Sequence, residues 1–417
     1  MSEHHHARVH DIVETLERAA ALHSRNNLDA AVELAGPLAH HFDPADVDAE
    51  RHVDAAISGV LRTWLTQVWS RGWMPTDVHQ MARRHCSALA AGFAIDVIAE
   101  HAAQHSAAGL HPRWRAQLDH LGAQAWWRAD QPLAVQWAVR HHLHREAMVL
   151  VVVELLGLLM SLGTLPVIVP PPGQDGAAGA PTDTTPVDEK ILSKVRALLA
   201  KAESTTFPEE AEALSAKAQD LMARHSVERA AAESTGAAST SVTACRIWLD
   251  APYIGAKSLL VAEVAAANRC RTVSYERLGF VTVLGDITDL EAVELLATSL
   301  MVQATRAMLD AGRQVTRGGQ SRTRSYRRSF LIAYATRIGE RLHEVTTDTV
   351  AAAGAALLPA LARRELAVDD LFAALFGGRV AKRSFSVGNA AGYGAGRAAA
   401  DQAVLNPSRR ALPGAAS

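Results

Sequence analysis

The sequence predicts a mainly α-helical protein with an N-terminal helical bundle, a central helical hairpin and a small α+β C-terminal domain. Apolar residues recur at three- and four-residue steps through most of the 417 residues, and 49% of the chain is hydrophobic. Alternating apolar residues, which are typical of strands, occur only after residue 241. Stretches rich in Pro, Gly and Ser separate these regions, and the length suggests two to four folded units.

Residues 1–165 are expected to form the helical bundle, because β-branched alternation is scarce and Ala, Leu, Glu, Arg and His dominate. Residues 47–70 place seven apolar side chains on one helical face, and Gly72 ends this helix. Pro75 opens the next helix, whose apolar face is predicted to continue to Ile98. A further helix is expected to carry Trp114 through Trp127, with tryptophans filling the core.

The segment from Ala147 to Leu165 has the length of a bilayer span, with 19 residues and one charged side chain, Glu154. A charge near the middle of a span costs about 3 kcal/mol on insertion scales. Gly157 and Gly163 also interrupt the run, and polar residues precede it. We therefore expect a buried helix of the bundle and no membrane partner.

Residues 166–186 and 231–241 are predicted linkers, and residues 406–417 are a predicted tail. Between the linkers, residues 187–230 are expected to form two antiparallel helices with a short connection. Thr185 supplies an N-cap for the first helix, and Asp188 is the acid three residues later. Residues 242–405 are predicted to form a basic α+β domain in the order β-α-β-β-α-α, a small sheet with helices on one face.

Charge is distributed unevenly along the chain. Residues 240–417 carry 22 basic and 15 acidic side chains, a net charge of +7, whereas residues 1–239 carry a net charge of −9. A basic region is typical of proteins that bind polyanions, although docking of an acidic half neutralises such a field. The three cysteines are too few for a disulfide framework or a four-cysteine zinc site. No signal-peptide pattern follows the start, so a cytoplasmic protein is expected.

The predicted hairpin carries a specific sequence pattern. Residues 190–228 read KILSKVRALLAKAESTTFPEEAEALSAKAQDLMARHSVE. This stretch resembles the bacterial and phage family called domain of unknown function 2786, and the flanking segments resemble its longer actinobacterial members. The resemblance implies a cytoplasmic, non-membrane protein. It implies no known reaction, so no catalytic residue is carried over.

Histidines are the weak candidates for metal ligands. His101 and His105 are spaced i, i+4, and His142 and Glu146 have the same spacing. The order around the first pair is EHxxxH, whereas a zincin requires HExxH. A third ligand would have to come from another helix. Solvated or core histidines are therefore the simpler interpretation, and no cofactor is indicated.

Motifs for nucleophilic catalysis and phosphate binding are missing. There is no G-x-S-x-G elbow. The glycine-rich stretch from Gly388 to Arg397 lacks the G-K-[ST] ending of a phosphate loop, and its small residues at every fourth position favour close helix packing. No catalytic residue is identified, and an enzyme is not the preferred interpretation.

An arginine-rich stretch is the strongest functional signal. Six arginines lie between residues 313 and 328 with a tyrosine among them. Arginines suit phosphate contacts, and a tyrosine can stack on a base. The candidate nucleic-acid-binding residues are Arg313, Arg317, Arg322, Arg324, Tyr326, Arg327 and Arg328.

Three functions remain open. The preferred hypothesis is a binding protein whose basic C-terminal domain contacts DNA or RNA through residues 313–328. A metal-dependent hydrolase that uses the N-terminal histidines is an alternative from another class. A scaffold that binds another protein without catalysis is the third.

Overall fold

The computed structural model describes residues 2–39, 48–174, 186–205, 208–234, 242–310, 323–353, 357–378, 380–381 and 388–402. The chain divides into two compact units, Met1–Thr182 and Asp183–Ser417. The architecture is mainly α with a small antiparallel sheet, as predicted.

The N-terminal unit is helical throughout its described part. Its helices are α1 (Ser2–Ser24), α2 (Leu28–Ala39), α3 (Ala49–Ser70), α4 (Pro75–His85), α5 (Ala88–Ala102), α6 (Pro112–Leu121), α7 (Leu133–Arg140) and α8 (Arg145–Ser161). Helix α8 is buried nearly all round and packs against α1, α2, α3 and α5. Of the described helices, none combines the length and apolar character needed to cross a bilayer.

Two helix predictions in this unit are wrong in detail. The helix that begins at Pro75 ends at His85, and α5 starts anew after Ser87, whose hydroxyl accepts a hydrogen bond from the Ala90 amide at 3.2 Å. Helix α6 ends at Gly122 in the left-handed conformation, so Trp126 and Trp127 lie outside it. Capping groups inside a long apolar pattern explain both differences.

The chain that leads into the predicted linker, and the first residues of the linker itself, pack on the N-terminal unit. The Leu165 amide donates to the Arg71 carbonyl at 2.8 Å, and the Trp73 indole donates to the Gly163 carbonyl at 2.6 Å. Beyond these contacts, Val169 and Pro171 are buried. Residues 166–174 therefore belong to the packed structure.

The C-terminal unit combines seven helices and three strands in its described part. These elements are α9 (Pro186–Ser204), α10 (Pro208–Ser234), β1 (Val242–Trp248), α11 (Ile254–Ala267), β2 (Arg271–Tyr275), β3 (Phe280–Asp286), α12 (Ile287–Asp310), α13 (Thr323–Ala353), α14 (Leu358–Phe376) and α15 (Ala390–Gln402). From β1 to α13 this is the predicted order. Helices α9 and α10 form the predicted hairpin and pack into the core of this unit.

The sheet has the order β1-β3-β2, and both pairings are antiparallel. The central strand β3 is buried at every position. Val281 and Val283 lie in the main core with α11 and α12. On the opposite face, Arg271 opposes Leu284 across the sheet and reaches α14, where its guanidinium lies 4.0 Å from the Phe372 ring centroid. The prediction of helices on one face only is therefore wrong, because α14 covers the second face.

Candidate functional site

The arginine-rich stretch ends in the first turns of α13. Arg313, Arg317 and Arg322 lie outside the described residues. Arg324 and Arg328 are exposed, and Arg327 is half-buried with an Nε atom that is shielded from water and has no hydrogen-bond partner. Two charged side chains of the candidate set are thus open to solvent.

Tyr326 faces the interior of the unit. Its residue exposure is 6%, and its ring centroid lies 6.5 Å from that of Phe330 within the same core. A buried ring offers no face to a nucleotide base. We therefore leave Tyr326 out of the contact surface and assign it a packing role.

The arginines of α13 fall into two groups by their ion pairs. Arg337 pairs with Glu340 at 2.9 Å and also with Asp401. No described carboxylate of this unit forms an ion pair with Arg324, Arg327 or Arg328. The start of α13 therefore keeps its positive charge, whereas its middle is neutralised.

Helix α15 runs parallel to α13 and begins at the same end. A Cβ atom at Gly392 would lie 2.5 Å from the Tyr326 carbonyl oxygen, and one at Gly396 would overlap the Phe330 carbonyl. The predicted packing role of this glycine pair is confirmed. The Asn389 amide donates to the Ser329 hydroxyl at 3.1 Å, which fixes the start of α15 beside α13.

The chain that enters these two helices is basic. Residues 311–322 and 377–389 each contain three Lys or Arg side chains and no Asp or Glu. The first turns of both helices lack acidic residues as well. Because helix N-termini carry partial positive charge, the two helix starts and Arg324 and Arg328 add potential of the same sign.

His101 is a core residue of the N-terminal unit. Its exposure is 6%, and its Nε2 lies 3.0 Å from the Thr66 hydroxyl. Burial, with smaller contributions from His105 and Arg62, lowers the pKa of His101 to about 4. The His101 and His105 ring centroids are 5.5 Å apart, so the structure brings this predicted pair together.

The second histidine candidate does not form a helical pair. Helix α7 ends at Arg140 and α8 begins at Arg145, so His142 lies in the turn between them with a φ of 54°. His142 and Glu146 are both exposed. Because a turn separates them, their i, i+4 spacing does not place them on one helix face, and that expectation is wrong. Among the described residues, no group of three or more His, Cys, Asp or Glu side chains is arranged to hold a metal ion.

A buried ionic cluster in the C-terminal unit was not predicted. Asp188 at the start of α9 is 1% exposed, and its carboxylate lies 2.7 Å from His225 Nε2 and 3.0 Å from Arg229 Nη1 on α10. Arg229 also lies 3.8 Å from Asp286 at the end of β3. The side chain predicted to serve the cap of α9 therefore ties the two hairpin helices together. Thr185, its predicted capping partner, lies outside the described residues.

The cluster continues toward α12 and α14. Arg364 lies 4.0 Å from Asp286 and 3.8 Å from Asp289. The Ser226 hydroxyl donates to Asp289 at 3.4 Å and accepts a bond from Arg269 Nη2 at 2.6 Å. Burial raises the pKa of Asp289, and the nearby Arg269 opposes that rise. These contacts join α10, α12 and α14 through charged groups shielded from water.

Arg269 holds an unusual backbone conformation in this cluster. Its φ is 58°, in the left-handed region, which costs a non-glycine residue roughly 1–2 kcal/mol. Arg269 lies between the end of α11 and the start of β2, and its Nη2 donates to the Ser226 hydroxyl. Strained backbone of this kind clusters at functional sites, and sequence patterns give no signal for it.

The comparisons with known proteins concern a short part of this arrangement. No curated protein and no solved structure matches the chain. A family model does match within the α9–α10 hairpin, over a stretch that includes His225 and Arg229 of the buried cluster. Residues 190–229 match the model of a family described as a protein of unknown function (DUF2786), which confirms the predicted resemblance over that segment.

Proposed function

We propose that the C-terminal unit binds the phosphate backbone of DNA or RNA at the start of α13. The observation that carries the proposal is the exposure of Arg324 and Arg328 without a carboxylate partner among the described residues of their unit. Guanidinium groups bind phosphate through charge-assisted, often bidentate hydrogen bonds. A carboxylate side chain already paired with these arginines would compete with the phosphate.

The surroundings of these arginines support the same proposal. The parallel start of α15 adds a second helix N-terminus, and backbone N–H groups at such ends bind phosphate. Residues 311–322, which precede α13, and residues 377–389, which precede α15, contain six further basic side chains. Contacts of this type are to the backbone and carry no base information, so the proposal predicts binding with little sequence preference.

Fluorescence anisotropy with labelled duplex DNA and single-stranded RNA tests the proposal on the full chain. Wild-type protein is expected to bind at low salt, with an affinity that falls steeply between about 50 and 200 mM salt. The double variant Arg324→Gln/Arg328→Gln should weaken binding by about tenfold or more and reduce the salt slope by roughly 2. Changing Arg322, Arg324, Arg327 and Arg328 together to Ala should remove most of the affinity.

The matched control is Arg277→Gln/Arg306→Gln, which removes the same charge from exposed positions elsewhere in the unit. Its affinity should stay within about twofold of wild type, apart from the general effect of net charge. The proposal is overturned if wild type does not bind either nucleic acid at low salt, or if both double variants lose affinity equally.

A further inference from the structure

A cavity of about 750 Å³ that is open to solvent along one side lies between the end of α11, the second half of α13 and the start of α14. Its volume is in the range of small-molecule sites. Most of its wall is apolar, with Ala267, Val350 and Leu361 among the lining side chains. Leu358 at its edge is 51% exposed, so an apolar surface is left open there. This arrangement suits a ligand with an apolar body.

Arg269 gives this cavity a positively charged wall. Its guanidinium makes one hydrogen bond among the described residues, the 2.6 Å bond from Nη2 to the Ser226 hydroxyl. Its Nε atom is shielded from water and lacks a partner. The neighbouring Arg229 and Arg364 pair directly with aspartates. Arg269 has no described carboxylate within ion-pair distance, and it interacts with Asp289 at longer range, where it lowers the pKa of that carboxyl.

We infer that this cavity binds a small amphipathic carboxylate, with the carboxylate on Arg269 and the apolar body along α13 and α14. A guanidinium beside an apolar surface is matched by an anion that accepts hydrogen bonds from its terminal nitrogens. The hydrogen bond to Ser226 holds the guanidinium in place, which reduces the cost of ordering it on binding. The site is separate from the arginines proposed to contact nucleic acid.

Glu365 also lines the cavity, and its negative charge allows the sign of the ligand's charge to be tested. Its carboxylate is not within ion-pair distance of Arg269 among the described contacts, and it repels an anion placed there. Removal of this charge should therefore strengthen binding, whereas removal of the Arg269 charge should weaken it. A cavity that took a cation or a neutral ligand would respond in the opposite way or not at all.

Isothermal titration calorimetry on the full chain with decanoate, decanol and decylammonium tests the inference. Decanoate should bind at least about tenfold more tightly than the other two compounds. Arg269→Asn keeps a residue that tolerates the left-handed conformation and should weaken decanoate binding about tenfold or more. Glu365→Gln should tighten it by roughly two- to fivefold.

Two further variants keep the result interpretable. Ala362→Trp places a large side chain in the cavity without a change of charge and should abolish decanoate binding. This variant tests the location of the site even if Arg269→Asn does not fold. Arg277→Asn, at an exposed arginine outside the cavity, should bind as wild type. The inference is overturned by equal binding of decanoate and decanol, by full affinity in Ala362→Trp, or by weaker binding in Glu365→Gln. Arg324→Gln/Arg328→Gln should retain decanoate binding, so the two proposals fail independently.

Discussion

Glu154, the charged residue in the apolar run of α8, accepts two hydrogen bonds from Ser87. The Ser87 amide donates to Oε1 at 2.7 Å, and the Ser87 hydroxyl donates to Oε2 at 2.6 Å. Ser87 also caps α5 through its hydroxyl oxygen. The carboxylate therefore joins α8 to the start of α5, and this explains a charge within a helix that is otherwise buried and apolar.

Glu154→Ala should lower the free energy of unfolding by about 0.5–1.5 kcal/mol, because it removes both hydrogen bonds to Ser87, whose exposed amide and hydroxyl can then bind water. Urea unfolding followed by circular dichroism measures this loss. Glu154→Gln keeps one acceptor oxygen and should lose less. Equal stability of Glu154→Ala and wild type would contradict this role for the carboxylate.

Gly396→Ala should destabilise the C-terminal unit by about 1–3 kcal/mol, because the new methyl group overlaps the Phe330 carbonyl and separates α15 from α13. Gly394→Ala is the matched control on the same helix, since a Cβ there meets no atom within 4 Å. The control should stabilise the protein by roughly 0.5–1 kcal/mol through its higher helix propensity. Thermal unfolding of both variants gives the comparison, and similar shifts for the two would argue against close packing at Gly396.

His101 should make the protein sensitive to mild acid. Its pKa is about 4 in the folded protein and 6.5 without burial. As pH falls below 6.5 the unfolded chain takes up a proton that the folded chain does not, so stability is unaffected above this range and decreases from pH 6.5 toward 4. The loss reaches up to roughly 3 kcal/mol.

The measurement compares urea unfolding of wild type and His101→Gln at about pH 7 and about pH 5. Glutamine keeps a hydrogen-bonding group near Thr66 and cannot take up the proton. Wild type should lose more stability on acidification than the variant. Parallel losses in the two proteins would show that other groups cause the pH dependence.

Asp188→Asn should lower the free energy of unfolding by about 3–5 kcal/mol, because it leaves Arg229 buried without the nearest of its anions. Urea unfolding measures the change. The control is Asp220→Asn, which removes a carboxylate from an exposed i, i+4 pair with Arg224. That change should cost less than about 0.5 kcal/mol. A loss of similar size in both variants would mean that the buried pair adds no special stability.

Local signals in the sequence predict two helix starts correctly. Pro75 and Pro186 stand at the first residues of α4 and α9, and Gly279 separates β2 from β3 as expected. These features depend on neighbours in sequence, so a single chain is sufficient to identify them. The break at Ser87 was missed because the stabilising partner, Glu154, lies 67 residues away.

The buried cluster could not be predicted for the same reason. Asp188, Arg229, Asp286 and Arg364 come from four elements that the fold brings together. Charged residues on amphipathic helices usually face water, and Arg229 and Arg364 have no local pattern that sets them apart. The exposure of Arg324 and the burial of Tyr326 likewise depend on where α15 packs against α13.

The buried cluster also has a consequence for the matched segment of residues 190–229. Two of its side chains, His225 and Arg229, contact carboxylates from outside it, namely Asp188 and Asp286. A peptide cut to the length of the match would therefore separate these side chains from their buried partners. In this protein the matched stretch is one part of a larger compact unit, so a functional comparison with proteins that carry the same stretch requires residues 183–417 and not the forty matched residues alone.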